Sequence, residues 1–243
     1  MDWFKAWFNT PYYHTLYKNR NDEEASAFIK NVTKFIDIPA NAKVMDLACG
    51  KGRHSVTLNQ LGYDVLGLDL SEESIAYAKQ FENDHLHFDV HDMRKIYKEN
   101  EFDAIFNLFT SFGYFDNDEE NALVFESIKK QLKPNGILVF DYLNAEKIVK
   151  NLIRYEEKEI DGILFKITKS ITDKNFIKKE IDFYADGQDW HFEEYVKVLY
   201  KKDFDVMIEK AGFKIKHVFG NYQLGSFFND TSSDRLILIL ENA

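Results

Sequence analysis

The stretch richest in chemistry is Val44-Met45-Asp46-Leu47-Ala48-Cys49-Gly50-Lys51-Gly52-Arg53-His54-Ser55. An apolar run enters a turn with two glycines and leaves it as a helix former. Without Cβ atoms, such a turn lets a ligand lie against the backbone. Asp69 follows at the end of the next apolar run, seventeen residues beyond Gly52, where a carboxylate can accept both hydroxyls of a ribose. Its plainer use would be to cap a helix begun at Ser71. Ser55 stands where a dinucleotide fingerprint has its third glycine, which argues against a pyrophosphate-bearing ligand. Asp46 points the same way: it would repel phosphate, yet could orient an ammonium directly or through water.

These residues need a scaffold, and the apolar pattern predicts one. From Lys43 onward, strands at 44–48, 65–70, 85–90, 102–109 and 136–142 alternate with helices at 54–61, 73–81 and 119–132. Such alternation implies parallel strands with right-handed crossovers, hence an α/β sheet covered on both faces. Pro134, Asn135 and Gly136 stop one helix and launch the next strand. Before this part, residues 1–20 carry Trp3, Phe4, Trp7 and Phe8 at helical spacing, a break at Pro11, then Tyr12, Tyr13 and Tyr17. Asn21 and Asp22 are placed to cap an amphipathic helix over 24–35. Residues 151–200 instead alternate with period two, with turns at Asp161-Gly162 and Asp186-Gly187. Ile163, Phe165 and Ile167 share a face, as do Ile177, Ile181 and Phe183, and Trp190, Phe192, Val196 and Val198. This predicts an inserted antiparallel sheet of three or four strands. A helix over 202–211, ended by Gly212, and strands at 213–219 and 235–240 complete the chain.

Composition limits the partners. The 243 residues are 45% hydrophobic with 3 prolines, enough apolar material for a large core. A formal net charge of −10 repels nucleic acid and anionic membranes at long range. The 22 Phe, 13 Tyr and 3 Trp suit a protein that encloses something small and apolar or cationic. A lone cysteine, Cys49, excludes an internal disulfide framework and a Cys-based metal cluster, as expected in a reducing cytosol. No secretory leader is expected, because Asp2, Lys5 and Asn9 interrupt the first residues. No apolar run reaches the roughly 18 residues of a membrane span. A cytoplasmic protein, monomeric or homodimeric, is expected.

Taken in order along the chain, these motifs resemble the class I S-adenosylmethionine-dependent methyltransferases, over residues 35–150 plus the last two strands. Asp46-Leu47-Ala48-Cys49-Gly50-Lys51-Gly52 is similar to the family's first motif, with Ala48 where many members have glycine. Asp69, with Leu70 after it, matches the ribose-binding acid. Asp92-Met93 matches the pair at the adenine amino group and ring. Asn107-Leu108-Phe109 matches the segment passing the methionine portion, and Leu132-Lys133-Pro134-Asn135-Gly136 the approach to the fifth strand. The resemblance implies a Rossmann-like, seven-stranded, mostly parallel sheet with the last strand antiparallel, plus the inserted antiparallel β subdomain as a substrate cap. It divides the chain into a helical lid (1–34), a cofactor-binding core (35–150 and 201–243) and the cap (151–200). The implied activity is methyl transfer from S-adenosylmethionine to an O, N or C atom of a small molecule, with no metal.

Cys49 would then contribute a backbone carbonyl toward the cofactor's ammonium, its thiol being a small buried apolar group. Tyr13, with Tyr12 and Tyr17, could face the sulfonium or simply pack in the core. Arg20 could pair with the donor's carboxylate or remain a solvated charge. Arg53 and His54 face the substrate or pack. Tyr114, His91, His191 and Asp141 are candidates to accept an acceptor's proton, and Tyr114 is favoured by its place past the fourth strand. Lys178-Lys179 reads as a solvated sheet face. The rival readings are a nicotinamide-dependent oxidoreductase, a catalytically silent cofactor-binding module, and a methyltransferase of RNA or protein.

Overall fold

The computed structural model describes residues 3–18, 22–115 and 117–243, apart from the side chains of Lys5 and Asp22. Helices α1 (Trp3–Phe8), α2 (Pro11–Tyr17) and α3 (Asp22–Ile36) come first. Pro11 starts α2 rather than breaking it, since the first helical position needs no amide proton. Thr10 caps that end, its Oγ1 accepting from Tyr13 N at 3.2 Å. Next come β1 (Lys43–Leu47), α4 (Arg53–Gln60), β2 (Asp64–Asp69), α5 (Glu72–Ala78), β3 (Leu86–Val90), β4 (Phe102–Asn107), α6 (Asp118–Gln131) and β5 (Leu132–Leu143). Strand β5 starts four residues earlier than the pattern suggested. Leu132 is already extended and Pro134 bars helix at the residue before it.

A short helix missed by periodicity, α7 (Ala145–Lys150), leads into β6 (Tyr155–Ile160), β7 (Ile163–Ile171), β8 (Phe176–Ala185) and β9 (Gln188–Lys197). Then follow α8 (Lys201–Ala211), β10 (Lys214–Phe219) and β11 (Arg235–Glu241). The main sheet has the order β10-β11-β5-β4-β1-β2-β3, and only β11 is antiparallel. The inserted strands form a four-stranded antiparallel meander. Among the described residues no helix is long and apolar enough to cross a membrane.

The leader divides between the two sheets. In α3, Phe28, Ile29 and Val32 are wholly buried against Val44, Leu58 and Ile237, so this helix packs on the parallel sheet. In α1 and α2, Trp7, Tyr12 and Leu16 pack on Phe165, Ile167, Ile181 and Phe183 of the meander. Each such side chain, once buried, contributes roughly 2–3 kcal/mol. Phe4 joins the main core instead, so α1 spans both. The far end of β9 is fastened to the main sheet: Lys197 N donates to the Gly113 carbonyl at 2.8 Å, and Tyr142 Oη donates to the Lys197 carbonyl at 2.5 Å.

Candidate active site

The carboxyl ends of β1, β2 and β4 and the roof of α1 and α2 enclose a cavity of about 740 Å³, within the range of pockets that hold a small molecule or cofactor. Its floor is the turn after β1. Ala48 and Gly50 hold φ of 63° and 55°, and a Cβ placed on Gly50 would meet nothing within 4 Å. That open space is what close approach of a ligand to backbone requires. Gly52 differs: at φ 82° its Cβ would strike the Phe88 ring at 2.7 Å. Its small size therefore serves helix-to-strand packing and not, as the sequence suggested, ligand approach.

Asp69 lines the cavity and braces the turn before α5, whose cap is Ser71 and not, as in the plainer reading, Asp69 itself. One carboxylate oxygen accepts from Gly50 N at 2.8 Å and the other from Ser71 N at 2.8 Å. Burial raises its pKa, against the pull of these amides. The Leu70 amide also faces this carboxylate, and with about four acceptor positions it keeps room for a ligand hydroxyl. Ser71 caps α5 and donates to Asn9 Oδ1 at 2.6 Å, which ties the turn between α1 and α2 down at this edge.

Ala48, Cys49, Gly50, Asp69, Leu70, Asp92, Met93, Phe109, Tyr13 and Tyr114 all line the cavity. Asp46, Gly52 and Asn107 lie beneath its surface. Asp46 is buried and accepts from Ser55 Oγ at 2.6 Å, so it reaches no ligand ammonium directly. Burial lifts its pKa to about 6, the Ser55 bond opposing. Asn107 Nδ2 donates to the Leu47 carbonyl at 3.0 Å and joins β4 to β1. The Cys49 carbonyl accepts from Gly52 N at 3.0 Å, and burial pushes the Cys49 thiol up. Arg20 lies outside the described residues.

Burial alone would raise Asp92, but Arg94 outweighs it, donating from Nη2 at 2.6 Å, and holds the carboxyl below the usual range. Phe109 and Thr110 are both left-handed, at φ 58° and 64°, a conformation costing about 1 kcal/mol per residue. The buried Asp141 holds them: Oδ2 accepts from Phe109 N at 2.7 Å, while Arg235 donates to Asp141 Oδ1 at 2.8 Å and to Thr110 Oγ1 at 2.7 Å. So fixed, the Phe109 ring stacks on His54 with centroids 4.6 Å apart. Asp141 is thus a loop clamp rather than an acceptor of substrate protons.

His191 is exposed on the meander beside Asp182, outside the cavity. His91 lines the cavity, its Nε2 2.9 Å from the Lys95 carbonyl. Tyr114 Oη donates to the Thr110 carbonyl at 2.8 Å. Lys179 is not solvated: its side chain is 14% exposed, and it binds Glu194 and Tyr17. The adjacent lysines hide this group in the sequence, although alternation sends Lys178 and Lys179 to opposite faces.

Comparison with known proteins agrees with this geometry. Residues 38–212 match the family model described as methyltransferase domain. The chain is 28% identical over 204 residues to the YqeM protein of Bacillus subtilis (strain 168), named as a methyltransferase; the match covers 78% of this chain and 81% of that one. It is 25% identical over 190 residues to a dTDP-3-amino-3,4,6-trideoxy-alpha-D-glucopyranose N,N-dimethyltransferase of Streptomyces venezuelae, covering 75% and 79%. A crystal structure of an S-adenosylmethionine-dependent methyltransferase from Clostridium acetobutylicum ATCC 824 superposes with a TM-score of 0.79 at 17% identity, over 95% of each chain.

Proposed function

Because this chain belongs to the class I S-adenosylmethionine-dependent methyltransferase family, we propose that it methylates an amine nitrogen of a small molecule in the cytoplasm. The observation that carries this reading is the roofed cavity, with Gly50 and Asp69 on one wall and the aromatic leader on the other. When bound, S-adenosylmethionine supplies a methyl group already made electrophilic by its sulfonium. The chain's own task is then to bind, align and keep water out. Asp69 is placed for the ribose hydroxyls, Asp92 and Met93 for adenine, and the open face of Gly50 for the backbone approach. Tyr13 and Phe8 offer rings to a cation where α1 and α2 exclude water. Nitrogen is favoured by the Streptomyces venezuelae relative, which is named for N,N-dimethylation of an amino sugar. A roofed cavity in a chain of net charge −10 suits a small acceptor better than RNA.

Calorimetric titration with S-adenosylhomocysteine and with NAD tests the donor site. Saturable binding of the former is expected, weakened in Asp69→Ala by about 1.5–3 kcal/mol. Binding of NAD alone would overturn the reading. Transfer of labelled methyl to glycine, sarcosine and amino sugars is expected to find the acceptor class. Label in tRNA or protein instead would replace it, and binding without any transfer would indicate a silent module.

A further inference from the structure

The inner face of the meander changes character along its length. Ile163, Phe165, Ile167, Ile181, Phe183, Trp190 and Phe192 hold one half, and charged residues in the same alternating phase hold the other: Lys169 on β7, Lys179 on β8 and Glu194 on β9. Lys169 is paired in register with Lys179, and Lys179 with Glu194. Glu194 is 9% exposed, a place where a carboxylate stays only if its oxygens are satisfied. Three side chains do this. Trp7 Nε1 donates at 2.6 Å, Tyr17 Oη lies 2.8 Å from both oxygens, and Lys179 Nζ lies 3.4 Å from one. Lys179 also donates to Tyr17 Oη and sits over its ring at 4.5 Å. Tyr17 in turn lines the cavity.

We propose that Tyr17, with Glu194 behind it, is the group that takes the proton from the methyl-accepting nitrogen. The proposal rests on the reading of this cavity as a methyltransferase site. The acceptor's lone pair forms the new bond to the methyl carbon, and the electron pair of the broken bond stays on the donor's sulfur. The N–H proton passes to Tyr17 Oη while the Tyr17 proton passes to the Glu194 carboxylate, so charge and protons balance. The Tyr114 hydroxyl, by contrast, donates to a backbone carbonyl, which is no base. In Tyr17 the phenol instead joins the cavity to a buried acid, and Lys179 beside it favours the transient phenolate. Tyr17 is the catalytic residue and Glu194 positions and relays.

The test reads Tyr17 as a nucleophile, independently of any acceptor. The whole protein is treated with benzenesulfonyl fluoride and mapped by peptide mass spectrometry. The tyrosine oxygen attacks sulfur, fluoride leaves and the phenol proton goes to Glu194. Labelling of Tyr17 is expected to exceed that of Tyr114 by at least about tenfold, and Glu194→Gln to erase most of that excess. Equal labelling of the two tyrosines, or an unchanged rate at Tyr17 in folded Glu194→Gln, would overturn the relay. Should that variant fail to fold, the wild-type ratio decides alone. Titration with S-adenosylhomocysteine is run beside it: loss of that binding with the labelling ratio intact would sink the methyltransferase reading and leave the reactive tyrosine standing. With glycine or an amino sugar that turns over, Tyr17→Phe is expected to lower kcat about a hundredfold with cofactor affinity unchanged.

Discussion

Both the carboxyl edge of the parallel sheet and the inner face of the meander bury carboxylates, but they close them with different donors. At the edge, Asp69 is held by the amides of Gly50 and Ser71, and Asp141 by the Phe109 amide, the Arg235 guanidinium and, at 3.2 Å, the Tyr222 phenol. On the meander, Glu194 is held by an indole, a phenol and an ammonium. Amide and guanidinium protons stay where they are across the working pH range, so the bonds from Gly50 and Ser71 to Asp69, and from Phe109 and Arg235 to Asp141, fix shape. Glu194 has no guanidinium and no amide among its partners in the described residues; its phenol belongs to Tyr17, a cavity-lining residue, and the proposed relay runs through that hydroxyl. The same side-chain type thus builds a rigid cradle in one region and a proton path in the other.

The strongest way to break this contrast is to uncouple the shape-fixing pair. In Arg235→Met the Asp141 carboxylate remains wholly buried without its cation, and the loss expected in urea unfolding is about 3–5 kcal/mol. Asp141→Leu added to Arg235→Met is expected to recover part of it, since the cost is that of an uncompensated charge. A loss well under 1 kcal/mol would mean that Phe109 and Thr110 keep their left-handed backbone without the clamp.

The chain announced the edge far better than the meander's chemistry. Strand-to-helix alternation and the order of Gly50, Asp69 and Asp92 are local features, so the parallel core was readable, and so were three residues that line the cavity at its edge. What stayed hidden was three-dimensional. The apolar stripe of α3 marks a buried face but not its partner, so the sequence does not tell that Phe28 and Val32, within the expected lid of 1–34, pack on the core sheet. Gly52 looked like Gly50 until Phe88 stood beside it. Glu194 falls in phase with Trp190 and Phe192, and Lys179 with Ile177 and Ile181. A charge in phase with an apolar stripe was the available signal, and adjacent lysines obscured it. Asp141 looked titratable because its clamp, Arg235, is ninety-four residues away.

Asp46 sharpens the contrast, because it sits under the shape-fixing edge with Ser55 as its side-chain donor and, among the described residues, no ion pair. Its folded pKa, about 6, stands above the ordinary 3.8, so folding favours the protonated form. That favourable contribution is complete below the ordinary value and is lost as pH rises through the folded one. Asp46→Asn, always neutral, is therefore expected to gain up to about 3 kcal/mol over wild type near pH 8 and almost nothing near pH 4. Urea midpoints at the two pH values check this. An equal gain at both would mean that packing, not ionisation, separates the two proteins.

The smallest expected effect is the most discriminating, because it sets two tyrosines in one cavity against each other. Tyr114 Oη donates to the Thr110 carbonyl, so it belongs with the groups that hold the strained loop. Removing that hydroxyl costs one hydrogen bond, about 1 kcal/mol of local order. The Tyr114 ring stays packed against Trp3 and Phe8. Tyr114→Phe is accordingly expected to change turnover by less than about fivefold, with affinity for S-adenosylhomocysteine preserved. Tyr17→Phe removes the only hydroxyl in the proposed path and falls further. The reverse ranking, with Tyr114→Phe inactive and Tyr17→Phe nearly normal, would move proton transfer to the cradle and leave Glu194 as a packing device.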